Sequence, residues 1–135
     1  MAFSFTLRVT TADLDNLGHV NNARYLDFLE RGRTRWYQKV GLIGCCRAAT
    51  PDRPIDTVVV NINIDFKQEC LPEETLSVTA APIKAGAKSF TVEQTIIKAC
   101  GAVAATATVT SVVMDLNERR AVALPPAARQ LFAAN

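Results

Sequence analysis

The sequence contains one long segment with helical periodicity, and in the segments around it apolar and polar residues alternate as they do in strands. This combination restricts the chain to few folds. Asn21 suits an N-cap before this pattern, and Gly41 follows its last periodic residue as a C-terminal stop. Gly32 falls on the apolar stripe, where its missing side chain lets a sheet approach closely. The pattern therefore predicts a helix over residues 22–40 with one face on a sheet. That face is formed by Tyr25, Phe28, Leu29, Trp36 and Val40.

Outside this helix the hydrophobic pattern has the period of two that is typical of strands with one buried face. A first strand begins with Phe3, Phe5, Leu7 and Val9. After the helix we expect a loop over residues 43–54, a hairpin loop over residues 84–88, and four strands over residues 58–66, 76–83, 90–97 and 102–114. Two prolines at positions 125 and 126 open a short helix that ends near residue 132. The order predicts one α+β domain over residues 1–135, in which an antiparallel sheet of about five strands packs on the long helix.

The composition excludes several classes of function. A net charge of +2 without a basic stripe argues against a nucleic-acid partner. No segment is long and apolar enough to span a membrane, and the N-terminus alternates as a strand rather than forming a signal peptide. The four cysteines show no CxxC spacing and the chain has one histidine, so we expect reduced thiols, a cytoplasmic location, and neither a metal nor another cofactor.

Reactive side chains are concentrated between the first strand and the long helix. Asp13, Asp15 and His19, the only histidine, lie in this short loop together with Gly18. The first backbone N–H groups of a helix have no partner within the helix, and they stabilise an oxyanion that develops beside them. A carboxylate and an imidazole next to such groups predict chemistry on an acyl group.

The run Asp-Asn-Leu-Gly-His-Val-Asn-Asn-Ala-Arg-Tyr-Leu at residues 15–26 leads from this loop into the helix. Together with the order of elements, it resembles the hotdog fold, in which an antiparallel sheet wraps around one long central helix. Within that fold it is similar to the 4-hydroxybenzoyl-CoA thioesterase-like family of acyl-CoA thioesterases. Residues 84–94 and the segment Leu124-Pro125-Pro126 also resemble this family.

The resemblance implies catalytic roles at the start of the helix. The family's carboxylate falls on Asp15, which acts as a nucleophile on the thioester carbonyl or as a general base for water. Its oxyanion donor, a backbone N–H, falls on Asn22. Gly18 would let the loop pass close to the thioester, and His19 would bind the carbonyl, orient the loop or protonate the leaving thiolate. Asp13 is interpreted as a solvated or turn-forming residue.

The resemblance also implies a substrate and partners. The expected substrate is an acyl-CoA, with an acyl carrier protein as the other possible carrier. Tyr25 is interpreted as a core residue whose place in the first helical turn also lets it bind substrate. Lys84, Lys88 and Ser89 are candidates for binding the phosphates of CoA. Because the family pairs sheet edges and builds its sites between subunits, we expect a homodimer or a homotetramer.

Two other functions compete with hydrolysis. A hotdog hydratase or dehydratase typically has four residues and a proline in its acid-to-histidine motif, whereas three residues and no proline separate Asp15 from His19. A non-catalytic acyl-CoA binding protein would not need the carboxylate. The acyl specificity is left open, because it depends on how Trp36, Tyr37 and the segment around Cys45 are arranged.

Overall fold

The structure, a computed structural model, describes residues 3–14, 18 and 20–132. A 3-10 turn over Thr11–Asp13 follows the first strand. The strands are β1 (Phe3–Arg8), β2 (Ile55–Phe66), β3 (Thr75–Ala85), β4 (Ser89–Lys98), β5 (Val103–Asp115) and β6 (Arg120–Ala121). The helices are α1 (Asn22–Val40), α2 (Leu42–Ala49) and α3 (Pro126–Gln130). None of the described helices is long and apolar enough to cross a membrane.

One antiparallel sheet carries the order β1-β3-β4-β5-β2, and the two-residue β6 pairs with β5. Helix α1 packs across it, with Gly32 lying over Val78 of β3 and Gln94 of β4. The predicted α+β architecture with one long helix on an antiparallel sheet is confirmed. Over the residues that the structure describes, the sheet has six strands rather than about five, because β6 adds a short strand that its two residues could not reveal as a pattern. The helical face that meets the sheet is formed by Tyr25, Phe28, Leu29, Trp36 and Tyr37.

Two predicted loops differ from the structure. The segment predicted as a loop over residues 43–54 contains helix α2, which starts directly after Gly41 and buries Leu42 and Cys46 one turn apart. Two apolar positions around Gly44 are too few to show a helical period, so contact with the rest of the fold stabilises this helix. The hairpin turn is also shorter than expected, because Lys84 and Ala85 belong to β3.

Both predicted ends of α1 are confirmed. Asn21 has extended backbone angles, and its Oδ1 accepts a hydrogen bond of 2.8 Å from the N–H of Ala23. At the other end Gly41 has a φ of 73°, and its N–H donates to the carbonyl oxygen of Tyr37 at 3.0 Å. A left-handed glycine at this position ends a helix without the steric cost that another residue would have.

Replacing Asn21 with alanine is expected to lower the free energy of unfolding by about 1 kcal/mol, because the Ala23 N–H loses its acceptor. Asn21→Ser is the matched control, since a serine hydroxyl also accepts from this N–H, and we expect a loss of only a few tenths of a kcal/mol. Urea unfolding of the three proteins measures both changes. Equal losses in the two variants would contradict a capping role for the Asn21 side chain.

A buried carboxylate fixes the turn that leads from β5 into β6. Asp115 is 1% exposed and accepts hydrogen bonds from the backbone N–H groups of Glu118 and Asn117 and from the guanidinium of Arg53 at 2.9 Å. These three donors hold the pKa of the Asp115 carboxyl below its usual range. Arg53 also ties the segment before β2 to this turn.

This lowered pKa predicts an acid sensitivity that depends on Asp115. The stabilisation is fully present above the ordinary aspartate pKa of about 3.9, and it is lost as the pH falls through the lower pKa of the folded protein. We therefore expect the urea midpoint to fall on acidification less steeply in Asp115→Asn than in the wild type. Asp52→Asn, at an exposed loop position, serves as the control and should follow the wild type. Parallel curves for the wild type and Asp115→Asn would refute the prediction.

Candidate active site at the start of helix α1

The loop before α1 is anchored by Asp13. Its Oδ2 accepts from the backbone N–H of Thr10 at 2.9 Å and from the Thr10 hydroxyl at 3.3 Å. Its carbonyl oxygen accepts from the N–H of Asn21 at 3.1 Å, and Arg24 lies 3.9 Å from the carboxylate. The interpretation of Asp13 as a residue that forms a turn is confirmed.

The loop that carries the predicted catalytic carboxylate is closed at its base. Leu14 and Val20 form an antiparallel bridge, and the N–H of Val20 donates to the carbonyl oxygen of Cys70 at 2.9 Å. Between them Gly18 is exposed and has a φ of 83°, a backbone conformation that favours glycine. Asp15 and His19, both predicted as catalytic, lie outside the described residues.

Helix α1 begins with an N–H group for which no described residue provides an acceptor. In the first turn the N–H of Ala23 is capped by the Asn21 side chain, and the N–H of Arg24 donates to the Asn21 carbonyl oxygen at 2.9 Å. The N–H of Asn22, at the positive end of the helix dipole, has no acceptor in the described part of the chain. Asn22 lines a cleft of about 220 Å³, together with Val20, Tyr25 and residues 66–69.

Tyr25 forms a wall of this cleft and is also part of the core. It is 3% exposed, and its hydroxyl donates to the carbonyl oxygen of Gln68 at 3.0 Å. Its ring lies 5.3 Å from the ring of Phe66. Burial, followed by the adjacent Cys70 thiol, raises the pKa of Tyr25, so the phenol stays protonated at neutral pH. Burial likewise raises the pKa of Cys70, which makes its thiol a poor nucleophile.

The opposite wall of the cleft was not predicted. It is formed by the last residue of β2, Phe66, and by the three residues that follow it, Lys67, Gln68 and Glu69. The sequence offers little signal for this role, since a polar run after a strand is typical of any surface turn. The Tyr25–Gln68 hydrogen bond spans 43 positions in the chain and becomes visible only in the folded protein.

The three candidate phosphate ligands lie at the other end of the molecule from the start of α1. Ala85 pairs with Phe90 beyond the hairpin turn, and the Phe90 ring packs edge-on against Tyr37 near the end of α1, at 5.7 Å. Since α1 has 19 residues, its two ends are about 28 Å apart. Within one chain, the hairpin residues Lys84, Lys88 and Ser89 are therefore separate from Gly18, Asn22 and Tyr25.

The hairpin nevertheless borders a sizeable cavity of its own. This cavity has a volume of about 570 Å³ and brings a second cation, Arg129, to the same lining as Lys84. Arg129 was not predicted, because only the packing of α3 brings it to the hairpin. The remaining lining residues are Ile83, Ala85, Pro126, Gln130 and Phe132.

The polar side chains near the end of β2 face away from both the cleft at the start of α1 and the cavity beside the hairpin. Asn63 and Asp65 line a shallow depression of about 340 Å³ with the threonines of β5, on the side of the sheet opposite α1. Ile62 and Ile64, at the alternate positions, pack on the core. The polar stripe that includes Asn61 therefore does not reach the cleft at the start of α1.

Comparison with known proteins agrees with this architecture. The family model of the thioesterase-like superfamily matches residues 9–132. The long-chain acyl-CoA thioesterase FadM of Escherichia coli (strain K12) is 34% identical over 119 residues, which cover 87% of each chain.

Solved structures share the fold over nearly the whole chain. The YbaW probable thioesterase from Escherichia coli superposes with a TM-score of 0.76 at 33% identity, covering 95% of this chain and 94% of the other. SAV2348 from Staphylococcus aureus, solved in complex with CoA, has a TM-score of 0.84 at 20% identity, with coverages of 98% and 82%. The chain therefore belongs to the thioesterase-like superfamily with the hotdog fold, and it is a thioester hydrolase.

Proposed function

We propose that this protein hydrolyses an acyl-CoA thioester to a carboxylic acid and CoA in the cleft at the start of α1. The observation that carries the proposal is the Asn22 N–H, which has no acceptor among the described residues and lies at the positive end of a long helix. A thioester carbonyl oxygen placed there would gain a hydrogen bond that strengthens as negative charge develops on it. The relative named as a long-chain acyl-CoA thioesterase supports the same class of substrate.

Asp15 is proposed to start the reaction. It directly follows Leu14, and Leu14 is bridged to Val20, which is two residues before Asn22. Because this bridge closes the base of the loop, Leu14, the residue directly before Asp15, is held near the Asn22 N–H. As a general base, Asp15 takes a proton from water, and the water oxygen bonds to the acyl carbon. As a nucleophile, it forms an anhydride that water then hydrolyses.

In both routes the carbon–sulfur bond breaks and the thiolate of CoA leaves with a proton. His19 is proposed to supply that proton, to bind the carbonyl or to orient the loop. Gly18 gives the loop a left-handed turn that lets its backbone pass the thioester, and Tyr25 borders the acyl group as it enters. No proton transfer is assigned to Tyr25, because burial raises its pKa.

We further propose that two copies pair through β2. Among the described strands it pairs with β5 alone, on one side, and it exposes Val60 to 58%, Phe66 to 45% and Val59 to 39%. An exposed apolar edge of this kind is a template for another strand. Val59 in β2 pairs with Ser111 in β5, which in turn pairs with Phe90 beside the hairpin, so this part of β2 lies level with the hairpin. The last residue of β2, Phe66, lines the cleft. Antiparallel pairing of two β2 strands would then bring the hairpin of one subunit towards the cleft of the other.

This arrangement would give Lys84, Lys88 and Ser89 their role. With Arg129, they would hold the phosphates of a CoA whose thioester lies in the cleft of the partner. A CoA complex of a protein with the same fold supports CoA as the carrier. A hydrolase that used only an acyl carrier protein would not need a cation cluster for the nucleotide.

Release of free thiol from a panel of acyl-CoAs tests the activity. We expect turnover, and the chain length that reacts best defines the substrate. Binding of acyl-CoA without thiol release would instead favour a non-catalytic binding protein. In the same assay Lys84→Gln should raise KM for acyl-CoA but not for the matching acyl-pantetheine, which lacks the nucleotide; equal changes would refute the phosphate role.

Light scattering tests the assembly. The wild type is expected to be a dimer or a tetramer, and Val60→Lys should dissociate the β2 pairing because it places charges at the paired edge. Ile83→Lys changes another exposed apolar residue, away from β2, and should leave the assembly intact. A monomeric wild type would contradict the proposal.

A further inference from the structure

The wall of the cleft that follows β2 is joined to the start of α1 by two hydrogen bonds. The carbonyl oxygen of Gln68 accepts from the Tyr25 hydroxyl at 3.0 Å. Two residues later, the carbonyl oxygen of Cys70 accepts from the N–H of Val20 at 2.9 Å. Tyr25 is in the first turn of α1, and Val20 closes the base of the loop before it. The position of residues 68–70 therefore sets the distance between this wall and both of these elements.

A third hydrogen bond reaches the same segment from the sheet. Lys98, the last residue of β4, donates from Nζ to the carbonyl oxygen of Glu69 at 2.9 Å. This carbonyl lies between the two that accept from Tyr25 and Val20, so the lysine holds the middle of the segment. Lysine side chains are mostly exposed in proteins, whereas that of Lys98 is only 13% exposed.

Glu74 is the charged partner of Lys98 and contacts the same segment. Its Oε1 lies 3.4 Å from Nζ of Lys98, and its Oε2 accepts from the N–H of Leu71 at 2.6 Å. The Glu74 carbonyl oxygen also accepts from the N–H of Val9, which directly follows β1. One ion pair thus holds the Glu69 carbonyl and the Leu71 N–H, on either side of the residue that binds the loop before α1.

The reaction depends on this segment more than the fold does. A misplacement of about 1 Å in an active site can lower a rate about 10²-fold, because the reacting groups must meet in one geometry. The sheet has many other contacts, since β4 is paired along its length with β3 and with β5. We therefore expect loss of the ion pair to change the rate of hydrolysis more than the stability.

We propose that Lys98, supported by Glu74, is a positioning residue for thioester hydrolysis. Through the Glu69 carbonyl it holds the wall at the distance from α1 that lets a thioester carbonyl reach the Asn22 N–H. Neither Lys98 nor Glu74 is among the described residues that line the cleft, so both act through the backbone of the wall. This inference rests on the proposed acyl-CoA hydrolysis and adds a residue that arranges its site.

The test compares kcat and KM for acyl-CoA hydrolysis in matched variants. Lys98→Met keeps the apolar stem of the side chain and removes its charge and its donors, whereas Lys98→Arg keeps a cation that can donate to both oxygens. Arg8→Met is the control, because Arg8 is paired with Glu73 in the same turn and makes no contact with the wall. Urea unfolding establishes that each variant is folded under the assay conditions.

We expect Lys98→Met to lower kcat about tenfold and to change KM less than about threefold, because the acyl chain and CoA bind mostly elsewhere. Lys98→Arg should restore kcat to within about threefold of the wild type, and Arg8→Met should equal it. Hydrogen exchange of the Val20 amide, followed by NMR, should be at least about tenfold faster in Lys98→Met than in Arg8→Met. The reason is that the Cys70 carbonyl, which accepts from this amide, loses its support.

Glu74→Gln gives a second, milder variant in case Lys98→Met does not fold. A glutamine has one side-chain oxygen, so it cannot accept from both Leu71 and Lys98, and we expect kcat to fall about threefold.

An unchanged kcat in folded Lys98→Met, or an equal loss in Arg8→Met, would overturn the inference and leave the proposed function intact. A lower kcat without faster exchange at Val20 would also overturn it, because the effect would then not pass through the wall. Absence of thiol release by the wild type would reject both the inference and the proposed function.

Discussion

Asp15→Asn is expected to lower kcat for acyl-CoA hydrolysis by at least about 10²-fold while the protein stays folded. An asparagine amide is nearly the same size as the carboxylate, but it can neither take a proton from water nor attack the thioester. The Asn22 N–H, the proposed oxyanion donor, belongs to the helix backbone and would remain, so a residual rate is expected. Thiol release under saturating acyl-CoA measures kcat, and circular dichroism checks the fold.

Asp13→Asn is the matched control for this experiment. Asp13 precedes Asp15 by two residues and anchors the loop through hydrogen bonds that it accepts from Thr10. An asparagine oxygen can still accept them, so we expect kcat within about threefold of the wild type and a modest loss of stability. An Asp15→Asn enzyme as active as the wild type would show that the site assignment is wrong, even though the family is established. A large loss of kcat in both variants would point to disruption of the loop.

Gly32→Val is expected to lower the free energy of unfolding by about 3 kcal/mol, at the upper end of the cost of overfilling a core. A Cβ at this position would lie 2.5 Å from Cγ1 and 3.2 Å from Cβ of Val78, and 3.4 Å from Nε2 of Gln94. Since Val78 is fully buried in β3, it cannot move aside, and α1 must shift away from the sheet. Thermal unfolding should show a decrease in Tm of roughly 10 °C.

Two further variants make this prediction specific. Gly44→Ala in α2 has no atom within 4 Å of its new Cβ, so we expect no loss of stability and a gain of up to about 1 kcal/mol. Val78→Ala in the Gly32→Val background makes room for the added side chain. The double variant should therefore lose less stability than the two single variants together. Strict additivity would mean that the contact between these two positions does not cause the destabilisation.

The features that depend on neighbours a few positions apart could be predicted from the sequence alone. The bounds of α1 follow from its apolar stripe, from the Asn21 cap and from the left-handed Gly41, each of which acts within about four residues. The close approach at Gly32 could be predicted because a missing side chain on a buried stripe has a direct structural consequence. The loop before α1 could be identified as a candidate site because its reactive residues lie within a few positions of one another.

What lies opposite those residues depends on how the helices and strands pack together, which the sequence pattern does not reveal. The second wall of the cleft at residues 66–69 depends on a Tyr25 hydrogen bond across 43 positions. The buried hydrogen bond between Arg33 and Gln94 spans 61 positions. Helix α2 is held by packing, and Arg129 reaches Lys84 only through the docking of α3. The spacing of residue types along the sequence reflects the local preferences of the backbone. Cavities and buried polar pairs form between helices and strands, and no local preference encodes how those elements are placed relative to one another.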